Sequence, residues 1–256
     1  MKPFLTLLIL FFSSYVYAGG GIIHMFIAKE SIAKMSNVQL RTLLQNNMDA
    51  YLVGSNYPDT GYVKDTHYGE MSHWDPFIFA FADYLRAKYQ DPVIENPRLV
   101  AFLFGCATHR VSDVVIHWTF YNKSAQQDFK GNWEKAHNFG DLGIDLLALV
   151  DKNLWLDFPH QWWVPVHDLI AVYQRMGESV TEKEILHGNR IYSLSGYGER
   201  AIAAASYPIL HLQAPWTAKH YYDATEGGVL ADETAVAQYA DQLWVRLTNR
   251  PFANAF

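Results

Sequence analysis

Two stretches of the chain carry histidine and aspartate at helical spacing. His109, Asp113 and His117 lie four residues apart, and His137, Asp141 and Asp145 repeat the interval. On an α-helix, positions i, i+4 and i+8 share one face and drift by only about 40° per step. Each set therefore points three donor groups in one direction. The residues between them are mainly Val, Ile, Phe and Leu, and unpaired ionisable groups are costly in such surroundings. A histidine and a carboxylate one turn apart can also be a solvated surface pair. In segments this apolar, a divalent cation is the more fitting partner.

Further donors lie upstream. Asp59 follows Tyr57-Pro58, His73 comes fourteen residues later, and His24 stands near the N-terminus. Imidazole and carboxylate without thiolate favour zinc, in an open catalytic site rather than a structural one. Calcium would take more oxygens and no histidine. The other histidines, His67, His160, His167, His187, His211 and His220, lack partners at ligand spacing and are expected to be structural or solvated. His67 is the one among them that a substrate could touch. Asp145, one turn beyond Asp141, is a candidate acceptor for the second nitrogen of a ligand histidine.

The elements that must position these groups read as helices. Apolar residues recur every three to four positions over Ile22–Leu44 (broken at Ser36-Asn37), Trp74–Tyr89, Arg98 to about Tyr121 with Pro97 opening the helix, and Trp133–Lys152. Val164–Met176, Gly198–Leu210 and Glu233–Leu247 complete the set. No alternating strand pattern occurs, so a single all-α domain is expected. Gly54–Ser72 reads as a long, functional loop rich in Gly, Tyr, Asp and Thr. Within and beside it, Tyr57, Tyr62, Trp74 and Phe77 are candidates to line an apolar approach to these donors. Tyr57 and Tyr62 are the better of these, and Phe77 is mainly core by its helical spacing. Trp162 and Trp163 read as core packing.

Composition agrees. Of 256 residues, 50% are hydrophobic and only 18% charged, which excludes disorder and any need for disulfide staples. A net charge of −6 argues against a nucleic-acid binder held by a basic surface. The single Cys106, among Phe, Leu, Gly and Ala, reads as a small core residue. Residues 1–18 read as a secretory signal: Lys2, an apolar run from Phe4 to Phe12, and Val16-Tyr17-Ala18 for cleavage. The run is about half the ~20 residues that span a bilayer. No later segment is expected to reach spanning length. The mature catalytic domain would be residues 19–256, secreted or periplasmic.

These motifs resemble the zinc-dependent phospholipase C superfamily, which also holds the fungal single-strand nucleases. The nearer likeness is to the N-terminal catalytic domain of glycosylphosphatidylinositol-specific phospholipase D. It is carried by Gly54-Ser55-Asn56-Tyr57-Pro58-Asp59, His73-Trp74-Asp75-Pro76-Phe77, Val100-Ala101-Phe102-Leu103-Phe104-Gly105, Ala136-His137-Asn138-Phe139-Gly140-Asp141 and Trp163-Val164-Pro165-Val166-His167-Asp168-Leu169, over roughly residues 22 to 180. The resemblance implies three zinc ions in a cleft of a helical domain. Asp59, His73, His109 and Asp113 would hold one, and His117, His137 and Asp141 a second. The third would take His24, the other oxygen of Asp113, and the mature N-terminal Gly19 through its amino nitrogen and carbonyl oxygen. Cleavage after Ala18 puts Gly19 five residues before His24, a spacing seen in several members. The signal peptide would then block the third site until it is removed.

The resemblance implies a phospholipid substrate at a membrane surface. Zinc brings the pKa of bound water to about 7, so a hydroxide on a pair bridged by Asp113 could attack phosphorus in line. Asp59 could also orient that water or accept its proton. His117 follows the bridging Asp113 by four residues, as in the phospholipase D branch, which puts a phosphatidylcholine preference in doubt. The alternatives are a zinc-dependent single-strand nuclease, or an inactive zinc- and lipid-binding module. No Lys/Arg cluster accompanies the loop aromatics, as a stacking track for nucleic acid would require. No protein partner is implied.

Overall fold

Asn96 and Pro97 start the helix around which the rest of the chain is arranged. The Asn96 side chain accepts from Leu99 N at 3.1 Å, and proline fits the first helical position, where its missing N–H costs nothing. The computed structural model describes residues 20–157 and 163–249. In chain order the helices are α1 (Gly21–Ser31), α2 (Val38–Asn46), α3 (Met48–Asn56), a short α4 (Gly69–Ser72), α5 (Asp75–Lys88), a short α6 (Pro92–Glu95), α7 (Pro97–Val115), α8 (Tyr121–Asp128), α9 (Trp133–Asp151), α10 (Val166–Arg175), α11 (Glu182–Gln213), α12 (Pro215–His220) and α13 (Val229–Thr248). Among the described residues there is no β-strand, as the all-α reading expects. The calls on residues 1–18, Gly19, His160 and Trp162 fall outside the described residues.

Helix α7 is buried on nearly every side from Leu99 to His109, and α1, α3, α5 and α13 pack around it. The run Pro97–Asp128 is long and apolar enough to cross a membrane by composition, contrary to the sequence expectation; 83% of its most apolar window is buried inside the fold. It is the core helix of the bundle. α3 approaches it unusually closely: a Cβ on Gly54 would lie 2.2 Å from Phe102 O, and one on Gly105 2.2 Å from Tyr51 O. Only glycine permits that crossing. Cys106 lies buried beside it, as expected.

Two expectations need correction. Gly54–Ser72 is not one long loop: Gly54–Asn56 end α3, Pro58–Tyr62 form a 3-10 turn, and Gly69–Ser72 form α4. The helix expected over Gly198–Leu210 runs from Glu182 to Gln213. Its start is fixed by a capping box, in which Thr181 Oγ1 accepts from Glu184 N and Glu184 accepts from Thr181 N.

Candidate metal centre

Between Val115 and Tyr121 the long helix widens into a single π turn, Ile116–Phe120, and then continues as α8. Such turns recur at functional sites. His117 Nε2 stands 3.9 Å from Asp113 Oδ1 on one side and 3.9 Å from Asp141 Oδ1 on the other. His137 Nδ1 lies 3.4 Å from Asp141 Oδ2, and the two histidine rings meet edge-on at 4.6 Å. His117, His137 and Asp141 are half-buried, with ligand atoms within 4.8 Å of one another.

Deeper in, α7 and the 3-10 turn bring a second group together. His73 Nε2 and His109 Nε2 are 3.0 Å apart. Asp59 Oδ1 lies 3.3 Å from His73 Nε2 and 3.5 Å from His109 Nε2, and Asp113 Oδ2 lies 3.5 Å from each. The other oxygen of Asp113 faces His24 Nε2 at 3.4 Å. Asp113 thus touches every cluster of donors. His24, Asp59, His73, His109 and Asp113 are all buried.

The hydrogen bonds behind these rings decide their tautomers. His73 Nδ1 donates to Gly69 O at 2.6 Å, and His109 Nδ1 donates to Ser55 O at 2.8 Å. A carbonyl can only accept, so each Nδ1 carries a proton. Ser112 Oγ donates to His109 O and therefore accepts from His24 Nδ1 at 2.8 Å. The three Nε2 lone pairs are then bare in the neutral rings. They point at one another and at carboxylate oxygens, an arrangement that repels unless a cation lies between. The donor set fits a divalent metal, and ligand histidines anchored through the second nitrogen are the usual support for one.

The electrostatics carry the same message. Burial pushes His109 down, but Asp113 and Asp59 outweigh it and raise it to about 9. A proton there serves as the missing positive charge. Burial, with His109 beside it, lowers His24 to about 3. Burial alone would raise Asp113, yet His109 and His117 hold it well below the usual carboxylate range. Asp141 is pushed well above that range by burial first and then by Asp59 and Asp113. A cluster that cannot ionise evenly without added charge is one that a cation completes.

A protein-family model described as zinc dependent phospholipase C matches residues 23–183. The chain belongs to this zinc dependent phospholipase C family. Phosphatidylinositol-glycan-specific phospholipase D of Homo sapiens is 32% identical over 206 residues, covering 75% of this chain and 24% of the relative. The protein of that name in Bos taurus is 31% identical over 207 residues (75% and 25%), and that in Dictyostelium discoideum 28% over 202 residues (75% and 21%). The chain spans about a quarter of the length of these curated relatives. No solved structure matches it.

Within this family fold, some expected site residues find other roles. Asp145 does not support a ligand histidine. It is buried on α9 and accepts from Ile22 N and Ile23 N, each at 2.8 Å, so it caps the first turn of α1. Tyr57 is core rather than substrate-facing: it is fully buried and its hydroxyl meets Tyr173 Oη at 2.9 Å. Tyr62 and Trp74 do stand at the surface, and Phe77 is core. His67 is exposed and bonded to Glu184 and to Ser179 O. Trp163 packs edge-on against Phe102.

Several groups escaped the sequence reading. Tyr192, on α11, donates to Asp59 Oδ2 at 2.9 Å and leaves Oδ1 to face the histidines. Tyr121 donates to Asp141 Oδ1 at 3.2 Å and stacks on His117. The spacing of Tyr121 four residues after His117 was a usable signal; no local signal leads from Asp59 to Tyr192. Gly20, in a left-handed conformation at φ 95°, lies against His24, and a Cβ there would be 3.5 Å from His24 Nε2.

Proposed function

We propose that this chain is a zinc-dependent hydrolase that cleaves the head-group phosphodiester of phospholipids. The observation that carries this reading is the row of bare imidazole nitrogens and carboxylates joined by Asp113. Its family membership and the names of its relatives favour a lipid phosphodiester over other substrates. Asp59, His73, His109 and Asp113 would hold one zinc, and His117, His137 and Asp141 another. His24 and Asp113, with Gly19 as mature N-terminus, would hold a third. Zinc, when bound, supplies Lewis acidity that activates water at neutral pH and offsets the charge of a phosphodiester.

The chain's own groups do the rest. Gly69 O, Ser55 O and Ser112 Oγ hold the Nδ1 protons of His73, His109 and His24, which keeps each Nε2 free to bind. Tyr192 keeps Asp59 Oδ2 occupied, so Asp59 Oδ1 is the oxygen that can ligate and orient the attacking water. Tyr121 does the same for Asp141.

Residues 1–18 act in this reading as an export signal cleaved after Ala18. The packing of Gly20 against His24 supports a role for the new N-terminus at the third site. A mature chain extended by one residue ahead of Gly19 then binds less zinc than one that starts at Gly19.

The test is mass spectrometry of the products from liposomes of mixed choline, ethanolamine, glycerol and inositol lipids treated with zinc-loaded mature protein. Diacylglycerol marks C-type cleavage and phosphatidic acid D-type, and Asp113→Asn yields neither. Absence of product from every lipid at full zinc content refutes the proposal.

A further inference from the structure

Among the described residues, the exposed tryptophans, Trp74 at 38%, Trp118 at 65% and Trp133 at 36%, all lie beside the candidate metal ligands. Tyr62 joins them at 36%. Tyr62 packs on the His73 ring at a centroid distance of 4.8 Å, with Trp74 6.3 Å from the same ring. At the other end of the row, Trp133 stacks on His137 at 4.8 Å, and Trp118 stacks on Trp133 at 6.3 Å. The four rings thus frame the two ends of the donor row.

Three of the four polar tips have protein partners. Tyr62 Oη donates to Glu70 Oε2 at 2.9 Å and Trp74 Nε1 to Glu70 Oε1 at 2.7 Å. Trp133 Nε1 donates to His117 O at 3.4 Å. The aromatic bodies are what remains for solvent. Large exposed apolar groups collected at one place mark an interaction surface. Trp and Tyr with one polar end and one apolar body are the residues that settle at the bilayer interface.

Charge selects among partners. The carboxylate of Glu70 lies between Tyr62 and Trp74, and its hydrogen bonds from Trp74 and Tyr62 hold its pKa below the usual value. Lys130, Glu134 and Lys135, exposed around Trp133, are mixed in sign. A stacking track for single-stranded nucleic acid needs a positive groove along the rings, and a strongly anionic membrane would meet Glu70 and a chain of net charge −6. A zwitterionic lipid surface meets neither objection.

We propose that Tyr62, Trp74, Trp118 and Trp133 form an aromatic rim by which the face bearing the His/Asp row rests on a zwitterionic phospholipid bilayer, with Trp118 as the side chain that enters the interface. The proposal rests on the lipid-substrate reading, but it is tested separately. Zinc-loaded chain is cosedimented at 4 °C with phosphatidylcholine vesicles, and its tryptophan emission is followed. Trp118→Ala removes the most exposed ring, whose described ring contact is Trp133 alone. Ile94→Ala trims an exposed apolar residue elsewhere, on α6, where Ile94 is 76% exposed.

Wild type and Ile94→Ala sediment with vesicles, and wild-type emission shifts to the blue. Trp118→Ala partitions about tenfold less, the loss expected for about 1.4 kcal/mol of interfacial transfer, while its zinc content and unfolding midpoint match wild type. Wild type that stays in the supernatant overturns the proposal, as does Trp118→Ala that sediments like wild type. So does a Trp118→Ala defect confined to oligothymidylate binding, which assigns the rim to nucleic acid. Vesicle binding without lipid products refutes the hydrolase reading and leaves the rim standing; products with an unaffected Trp118→Ala do the reverse.

Discussion

Asp145 offers the sharpest test of how the fold holds the centre. Its carboxylate takes two N–H groups that helix α1 cannot satisfy itself, those of Ile22 and Ile23, both at 2.8 Å. Burial first, and then neighbouring Glu199, raise the pKa of Asp145, and Glu199 is raised by burial as well. The bonds from Ile22 N and Ile23 N oppose that rise and favour the charged carboxylate. Asp145→Asn keeps one acceptor and turns an NH2 group toward the second backbone N–H. One stranded, buried donor costs about 1–3 kcal/mol. At about 2–4 °C per kcal/mol for a domain of this size, a mid-range loss of about 2 kcal/mol lowers the unfolding midpoint by about 4–8 °C. Asp145→Ala strands both donors and costs about twice as much. Because the clamp sits one and two residues before His24, zinc retained after dialysis also falls. Glu199→Gln, which removes the neighbouring acid and leaves both backbone bonds to Asp145 in place, keeps the midpoint near wild type. Thermal unfolding by circular dichroism, with elemental analysis for zinc, reads all three variants. An unchanged midpoint and full zinc in Asp145→Ala would show that the clamp does not order the first turn of α1.

Three other outcomes follow from particular contacts. Tyr192→Phe removes the hydrogen bond to Asp59 Oδ2, and loss of such a supporting contact lowers zinc affinity by about 10–100-fold in a competition titration; an unchanged affinity would make Tyr192 mere packing. Gly105→Ala sets a methyl 2.2 Å from Tyr51 O. Overpacking of about 3 kcal/mol, less about 1 kcal/mol of helix propensity, leaves about 2 kcal/mol and a midpoint about 4–8 °C lower; a midpoint at or above wild type contradicts it. Asp241 accepts from Ser36 N at 2.8 Å, Ser36 Oγ at 2.7 Å and Asn37 N at 3.1 Å, and these bonds outweigh burial to lower its pKa. A carboxylate with a depressed folded pKa stabilises the fold above its unfolded pKa of about 3.9, and that contribution is lost as pH falls through the folded value. The midpoint gap between metal-free wild type and Asp241→Asn is therefore present at pH 6 and closes in acid; a gap that stays constant to pH 2.5 refutes it.

What the sequence discloses about this fold depends on how local each signal is. α7 was legible because its cap, its proline and its apolar run lie next to one another, and its end was blurred by a π turn that no residue type announces. α3 was missed altogether: no helix was read over Met48–Asn56, and Gly54 inside it reads as a breaker. Here it serves the opposite purpose, letting two helices touch backbone to backbone. α11 was shortened for the same reason: Gly188 and Gly196 lie in the part that was not read as helix. The Thr181-x-x-Glu184 capping box that starts it was in plain view.

The candidate site divides along the same line. Five of its donors, His109, Asp113 and His117, then His137 and Asp141, follow at intervals of four on two helical runs, so they stand out in the sequence. The groups that decide their chemical state do not. Ser55 O and Gly69 O fix the protons of two histidines through backbone atoms, which every residue possesses and no sequence distinguishes. Tyr192 reaches Asp59 across 133 residues, and Asp145 reaches Ile22 across 123. The wrong reading of Asp145 is instructive here. Its position one turn beyond Asp141 suggested a partner on its own face of the helix, but a buried carboxylate is drawn to whichever donors lack an acceptor, and the open first turn of α1 supplied them. Spacing thus identifies which atoms can bind a metal. The tertiary fold decides which lone pairs are bare, and so whether those atoms would bind one.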